Sequence, residues 1–154
     1  MTITTERTKG QIITALLNAT VVGLKTVVPV NHQLSKPELL GNSLHLQYGV
    51  LIGVTGDVKG KLIFAGDTNL FAKLGEGMFG MPLEGDMLAS FSGELGNMLA
   101  GSIATTIAKD GIQTDITAPT IMQGKTTLSG YEKALHLTTN FENTGVMDIY
   151  LLLD

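Results

Sequence analysis

Residues 86–111, DMLASFSGELGNMLAGSIATTIAKDG, constrain the fold more than any other stretch. The pattern predicts one long helix, with Asp86 as a candidate cap and Gly111 as its stop. Lys109 near the C-terminus suits the helix dipole. At roughly 100° per residue, Glu94, Asn97, Gly101, Ala104 and Ala108 all fall within about 40° of Ser90. Leu88, Phe91, Leu95, Leu99 and Thr106 fall on the far side. A surface helix usually carries Lys and Arg where this one carries small and polar groups. One side is built to bury, and the other lets a second surface come close.

The remainder reads as a scaffold for that stripe. A length of 154 residues favours a single domain spanning 1–154 with a real core. The net charge of −4 gives no electrostatic footprint for nucleic acid. There are no cysteines, so thiol chemistry and a disulfide framework are excluded, and a cytoplasmic location fits. The polar start MTITTERTKG lacks the basic-then-apolar order of a signal peptide. The longest apolar run, residues 12–30, is broken by Asn18, Gly23 and Lys25. A membrane span needs about 20 predominantly apolar residues, so the run predicts a buried helix and no membrane partner.

In chain order, residues 8–28 predict a first helix closed by Pro29. It is apolar nearly all round, so both its sides are expected to be covered, by a sheet and the second long helix or by another subunit. Residues 30–43 are ambiguous, with room for a short edge strand. Two strand-like runs, 44–55 and 58–65, flank Gly56-Asp57 as a hairpin, with Val58, Gly60, Leu62 and Phe64 facing the core. Residues 66–68 offer a cap for a short helix at 69–78. After the long helix, 115–122 predicts a strand that Pro119 restricts to an edge, bulge or end. A polar turn region over 123–132 precedes a hairpin of 134–141 and 146–153. The class is α+β, two long helices packed on a mainly antiparallel sheet.

Several chemistries are missing from the sequence. It contains no Walker-type loop, no G-x-S-x-G and no H-E-x-x-H. His32, His45 and His136 lack metal-ligand spacing, and His136 alternates with leucines as a surface position of a strand. No metal site is expected. Met78, Met81, Met87 and Met98 read as core filler. There remains the row Ser90-x3-Glu94-x2-Asn97, whose steps of four and three align three side chains. On spacing alone a solvated polar face is compatible with it. Yet Gly101 and Ala104 beyond the row keep the face open, and the row sets an acceptor-only carboxylate beside an amide that both donates and accepts.

The segment SFSGELGNMLAGSIATTIAKDGIQTDITAPTIM resembles the CheC/CheX family of chemotaxis phosphatases, which also includes a flagellar switch component. The family motif is Asp or Ser, three residues, Glu, two residues, Asn, then a proline 22 positions later; Ser90, Glu94, Asn97 and Pro119 match it. CheC-like members carry the motif on two pseudo-symmetric helices. Here Asn18 and Val21 stand in the Glu and Asn positions of the first helix, so the chain is most similar to the CheX branch, whose members form homodimers.

The resemblance implies a CheC-like fold and a phosphatase acting on the aspartyl phosphate of a CheY-type response regulator. The regulator would supply Mg²⁺ and a lysine, and the chain itself would bind no cofactor. Asn97 is implied as the residue that orients the attacking water and Glu94 as the partner of the regulator's lysine. Ser90, Gly101 and Ala104 would face the regulator, and Pro119 would shape the supporting strand. Two alternatives stay open: a non-catalytic module that binds a phosphorylated regulator or flagellar switch component, and a small-molecule domain with a pocket between sheet and helices.

Overall fold

A computed structural model describes residues 8–154. Most of the polar N-terminal stretch discussed above, residues 1–7, lies outside the described residues. Helix α1 (Lys9–Val27) opens with a capping box at Thr8: its hydroxyl accepts from the Gln11 N–H, and the Gln11 side chain accepts from the Thr8 N–H. Strands β1 (His32–Leu34), β2 (Glu38–Leu39), β3 (Ser43–Gly56) and β4 (Gly60–Ala65) follow. Helices α2 (Thr68–Phe79) and α3 (Asp86–Ala108) precede the last strands, β5 (Thr114–Ile116), β6 (Thr120–Ser129), β7 (Lys133–Phe141) and β8 (Gly145–Leu153).

The strands form one antiparallel sheet in the order β1-β7-β8-β4-β3-β5, with β2 also on β7 and β6 also on β3. The helices cover one face. The main core joins Leu16, Ala19 and Leu24 of α1, Leu95, Leu99 and Ile103 of α3, and Val50, Ile52, Leu62 and Phe64 of the central hairpin. The core-facing set expected around β4 is therefore correct. A second cluster on the sheet, Leu44, Leu46, Ile63, Ala65, Ala134, Tyr150 and Leu152, went unread in the sequence. Leu44 and Leu46 belong to it while Tyr48 and Val50 belong to the first, so β3 contributes to both cores along its length. The β3–β6 register shifts between Leu46 and Tyr48, opposite Gly124, whose φ is +90°. A bulge there bends the strand pair.

Four expectations need correction. The strand predicted over 115–122 is two, β5 and β6, separated at Thr117–Pro119. Proline offers no N–H to a ladder, and Thr117 bridges the gap: its N–H donates to Gly53 O, and its Oγ1 accepts from Gly53 N–H. The polar turn region is mostly strand, because β6 runs to Ser129. Its side chains are exposed or half-buried, and a strand with so little buried surface has no apolar alternation to betray it. Within a single chain the first helix is not covered all round. Leu16, Ala19, Thr20, Gly23 and Leu24 are buried, while Thr14, Asn18, Val22 and Lys25 are exposed. It is a helix long and apolar enough to cross a membrane by composition, and here it packs on α3. Finally, Gly85, not Asp86, is the N-cap of α3; its φ of +60° suits glycine, and Asp86 sits in the first turn.

His136 is more enclosed than an alternating surface position. Its Nδ1 lies 2.9 Å from Glu38 Oε1 and its Nε2 2.8 Å from Asp148 Oδ1. The ring stacks on Tyr150, with centroids 4.7 Å apart and planes at 10°. Glu38 of the short strand β2 is thereby tied to β7 and β8. Burial and, after it, the charges of Asp148 and Glu38 push the Tyr150 phenol up to about 12, from an ordinary value of 10.0. A phenol whose folded value is raised contributes stability below the unfolded value and loses it as pH rises through the folded one. Urea midpoints are therefore expected to fall as pH rises from 10.0 to about 12, and Tyr150→Phe to flatten that fall. An unchanged slope in the variant would contradict the assignment.

Candidate functional site

Helix α3 must lie close to the sheet before its outer row means anything. Two glycines allow that. A Cβ on Gly96 would sit 2.7 Å from Val50 Cγ1, and one on Gly93 would sit 3.4 Å from Pro119 Cγ. The helix thus rests on β3 and on the proline at the β5–β6 break. A buried hydrogen-bond chain sets its rotation: Tyr48 OH donates to Ser92 Oγ at 2.9 Å, and Ser92 Oγ donates to Leu88 O at 2.8 Å. On the other flank a Cβ on Gly23 of α1 would meet Ser102 Oγ at 3.4 Å, so the two long helices also approach closely.

With that face fixed, the opposite face carries the predicted row. Ser90 and Glu94 are exposed, while Asn97, Gly101 and Ala104 are half-buried. A Cβ on Gly101 would meet nothing within 4 Å. Among the described residues, no side-chain hydrogen bond or ion pair engages Ser90, Glu94 or Asn97. The structure therefore brings all five positions onto one side of one helix and leaves their polar groups free. Pro119 lies apart, beneath the helix rather than beside the row. Phe91, Leu95 and Leu99 are buried as expected, whereas Thr106 is only half-buried.

The methionines depart from the sequence reading. Met81, Met87 and Met98 are 50%, 56% and 41% exposed, and Met78 alone of the four packs against the core. Phe79 is 61% exposed and meets the buried Phe91 edge-on, with centroids 5.7 Å apart. The chain leaves α2 through Gly80, with φ +76°, which turns residues 79–81 onto the lip of α3. Phe79, Met81, Leu83, Met87 and Phe91 line an open groove that also includes Asp86, Ser90 and Glu94. The spacing Met87, Phe91, Glu94, Met98 was the available signal: steps of four, three and four mark one flank of a helix.

A carboxylate and a carboxamide three residues apart on a helix have Cβ atoms about 5–6 Å apart. They can hold a cation with one member and direct a water with the other. No group of three or more His, Cys, Asp or Glu suited to a metal ion occurs among the described residues. His32 and His45 are instead satisfied locally, by Val30 O and Thr127 Oγ1. On α1, Asn18 is exposed and Val21 half-buried, so that helix presents no equivalent pair.

The model for chemotaxis phosphatase CheX matches residues 48–140, which include the whole row and Pro119. The chain belongs to the CheX family of chemotaxis phosphatases. It is a member of a hydrolase family, and the resemblance noted in the sequence holds. Thermotoga maritima CheX, a CheY-P phosphatase, is 28% identical over 122 residues, covering 75% of this chain and 77% of its own. In the crystal structure of the CheX–CheY–BeF₃–Mg²⁺ complex from Borrelia burgdorferi, the matching chain superposes with a TM-score of 0.75 at 22% identity. That match covers 92% of this chain and 96% of that one. CheX from Vibrio vulnificus gives a TM-score of 0.77 at 20% identity, covering 92% and 98%. The α+β, CheC-like fold is shared with these proteins.

The seat of α3 makes a paired prediction. Gly96→Ala forces a Cβ into the stiff side chain of Val50 and is expected to cost about 1–3 kcal/mol. Gly101→Ala, with open space at its Cβ, is expected to be neutral or to add up to about 1 kcal/mol through helix propensity. Urea denaturation of both variants checks the pair, and equal effects would contradict the seating.

Proposed function

We propose that this chain hydrolyses the aspartyl phosphate of a CheY-type response regulator, using Glu94 and Asn97 of α3. The observation that carries the reading is the solvent-facing Ser90–Glu94–Asn97 row, with Asn97 half-buried and no side-chain partners among the described residues, on a helix whose other face is rigidly seated. Family membership and the Borrelia burgdorferi complex of CheX with CheY support the choice of partner.

The chemistry asks little of the phosphatase. Water attacks phosphorus in line, and the bond from phosphorus to the aspartyl oxygen breaks. The leaving group is a carboxylate, so no general acid is required. Asn97 Oδ1 accepts from the water while its Nδ2 donates to a phosphoryl oxygen, which fixes the water's direction. Glu94 pairs with the regulator's active-site lysine and holds the helix in register. Mg²⁺ belongs to the regulator, where it neutralises charge on the phosphoryl oxygens. Ser90, Gly101 and Ala104 face the regulator, and Gly101 permits close backbone approach. Pro119 acts structurally, as the support under Gly93. In this reading residues 1–154 form one cytoplasmic domain that pairs as a homodimer and presents one row per chain.

Asn97→Ala is expected to lower stimulated phosphate release on the order of 10²-fold or more while leaving thermal stability within about 0.5 kcal/mol. Glu94→Ala should weaken regulator binding as well as turnover. Phosphate release from acetyl-phosphate-charged regulator, read beside a binding isotherm, checks both; near-native release by the Asn97 variant would sink the assignment.

A further inference from the structure

Among the described residues, exposed apolar side chains gather beside α3, while Val22, Leu39 and Val146 stand singly elsewhere. Phe79, Met81, Met87 and Met98 are four of the large hydrophobic side chains more than 40% exposed, and all border α3 on the Glu94 side of the row. Phe79, Met81 and Met87 share a groove with Ser90 and Glu94 themselves. Any surface that reaches Glu94 from that side must cover them. Among the described residues, Asp86 and Glu94 are the only charged groups lining the groove, with no Lys or Arg in its walls. An apolar floor with a purely anionic edge is complementary to an apolar surface bordered by basic side chains.

We propose that this methionine-rich ledge is the docking surface for the response regulator, taking an apolar patch flanked by basic groups beside the phosphorylated aspartate. The inference rests on the phosphatase reading and deepens it: Glu94 and Asn97 address the phosphoryl centre, and the ledge supplies desolvated contact area and one-sided orientation. Unbranched methionines refit their thioether chains to the surface they meet, which suits contact with a protein rather than a fixed small molecule. The ledge also sets a direction. The regulator's bulk lies over Phe79 and Met87, and its edge reaches along the row to Gly101 and Ala104.

The test uses the whole chain and the CheY-type regulators of the same organism, each loaded with beryllofluoride and Mg²⁺ to measure binding and charged with acetyl phosphate and Mg²⁺ to measure phosphate release. The double variant Met81→Ser/Met87→Ser is expected to raise Kd on the order of tenfold, with a matching rise in the regulator concentration for half-maximal phosphate release. Leu39→Ser, which removes a still more exposed apolar group on β2, should leave both unchanged. Urea midpoints confirm that each variant folds. Native affinity in the double variant would overturn the ledge and leave the catalytic reading standing. A native chain that binds the loaded regulator without releasing phosphate would overturn catalysis, and the ledge would still be judged on Kd. A native chain that binds none of the regulators would overturn both.

Discussion

The contact between α3 and β3 is the constraint on which the remaining features depend. Gly96 lets the helix backbone approach Val50, and the Tyr48–Ser92–Leu88 hydrogen-bond chain fixes which side faces the sheet. A helix turned by one residue would swing Glu94 through about 100° and point Asn97 elsewhere. The row is usable only because the opposite face has one way to pack. The same closeness explains the break between β5 and β6, where Pro119 fills the space beneath Gly93 instead of joining the ladder.

In the proposed reaction the site has few parts because the chemistry would be shared. An aspartyl phosphate already has a good leaving group, and in that proposal the regulator brings its own cation and lysine. What the second protein contributes is a placed water and a fixed angle of approach. Side chains without partners among the described residues fit that division, since Glu94 and Asn97 would be free to form their hydrogen bonds with the regulator. The cost of leaving them free is small at the surface, where water satisfies them. The apolar ledge beside the row, as proposed, would answer the other requirement, that two proteins meet in one orientation.

Much of this was readable in the sequence. The long helix, the central hairpin and the final hairpin announce themselves through period and turn residues, and the row through its spacing. The failures have physical causes. Strand β6 hid because an edge strand with polar, half-exposed side chains looks like a loop. The exposed methionines hid because composition cannot distinguish a thioether in a core from one on a lip; the turn at Gly80 decides for Met81, and the rotation of α3 decides for Met87 and Met98. Gly93 and Gly96 could have been read as ordinary small residues of a helix, and their role depends on what lies across from them. His136 was legible as a strand residue but not as a partner of Glu38, because that contact spans 98 residues.

The central claim is that the chain turns over aspartyl phosphate rather than holding it. The most direct measurement follows loss of the phosphoryl group from a charged regulator with Mg²⁺ present and the chain added far below stoichiometric amounts. The account predicts that each chain discharges many regulators and that the initial rate rises linearly with chain concentration. An unchanged rate, or phosphoryl lifetimes lengthened in proportion to the complex formed, would contradict it and leave a binding protein in its place.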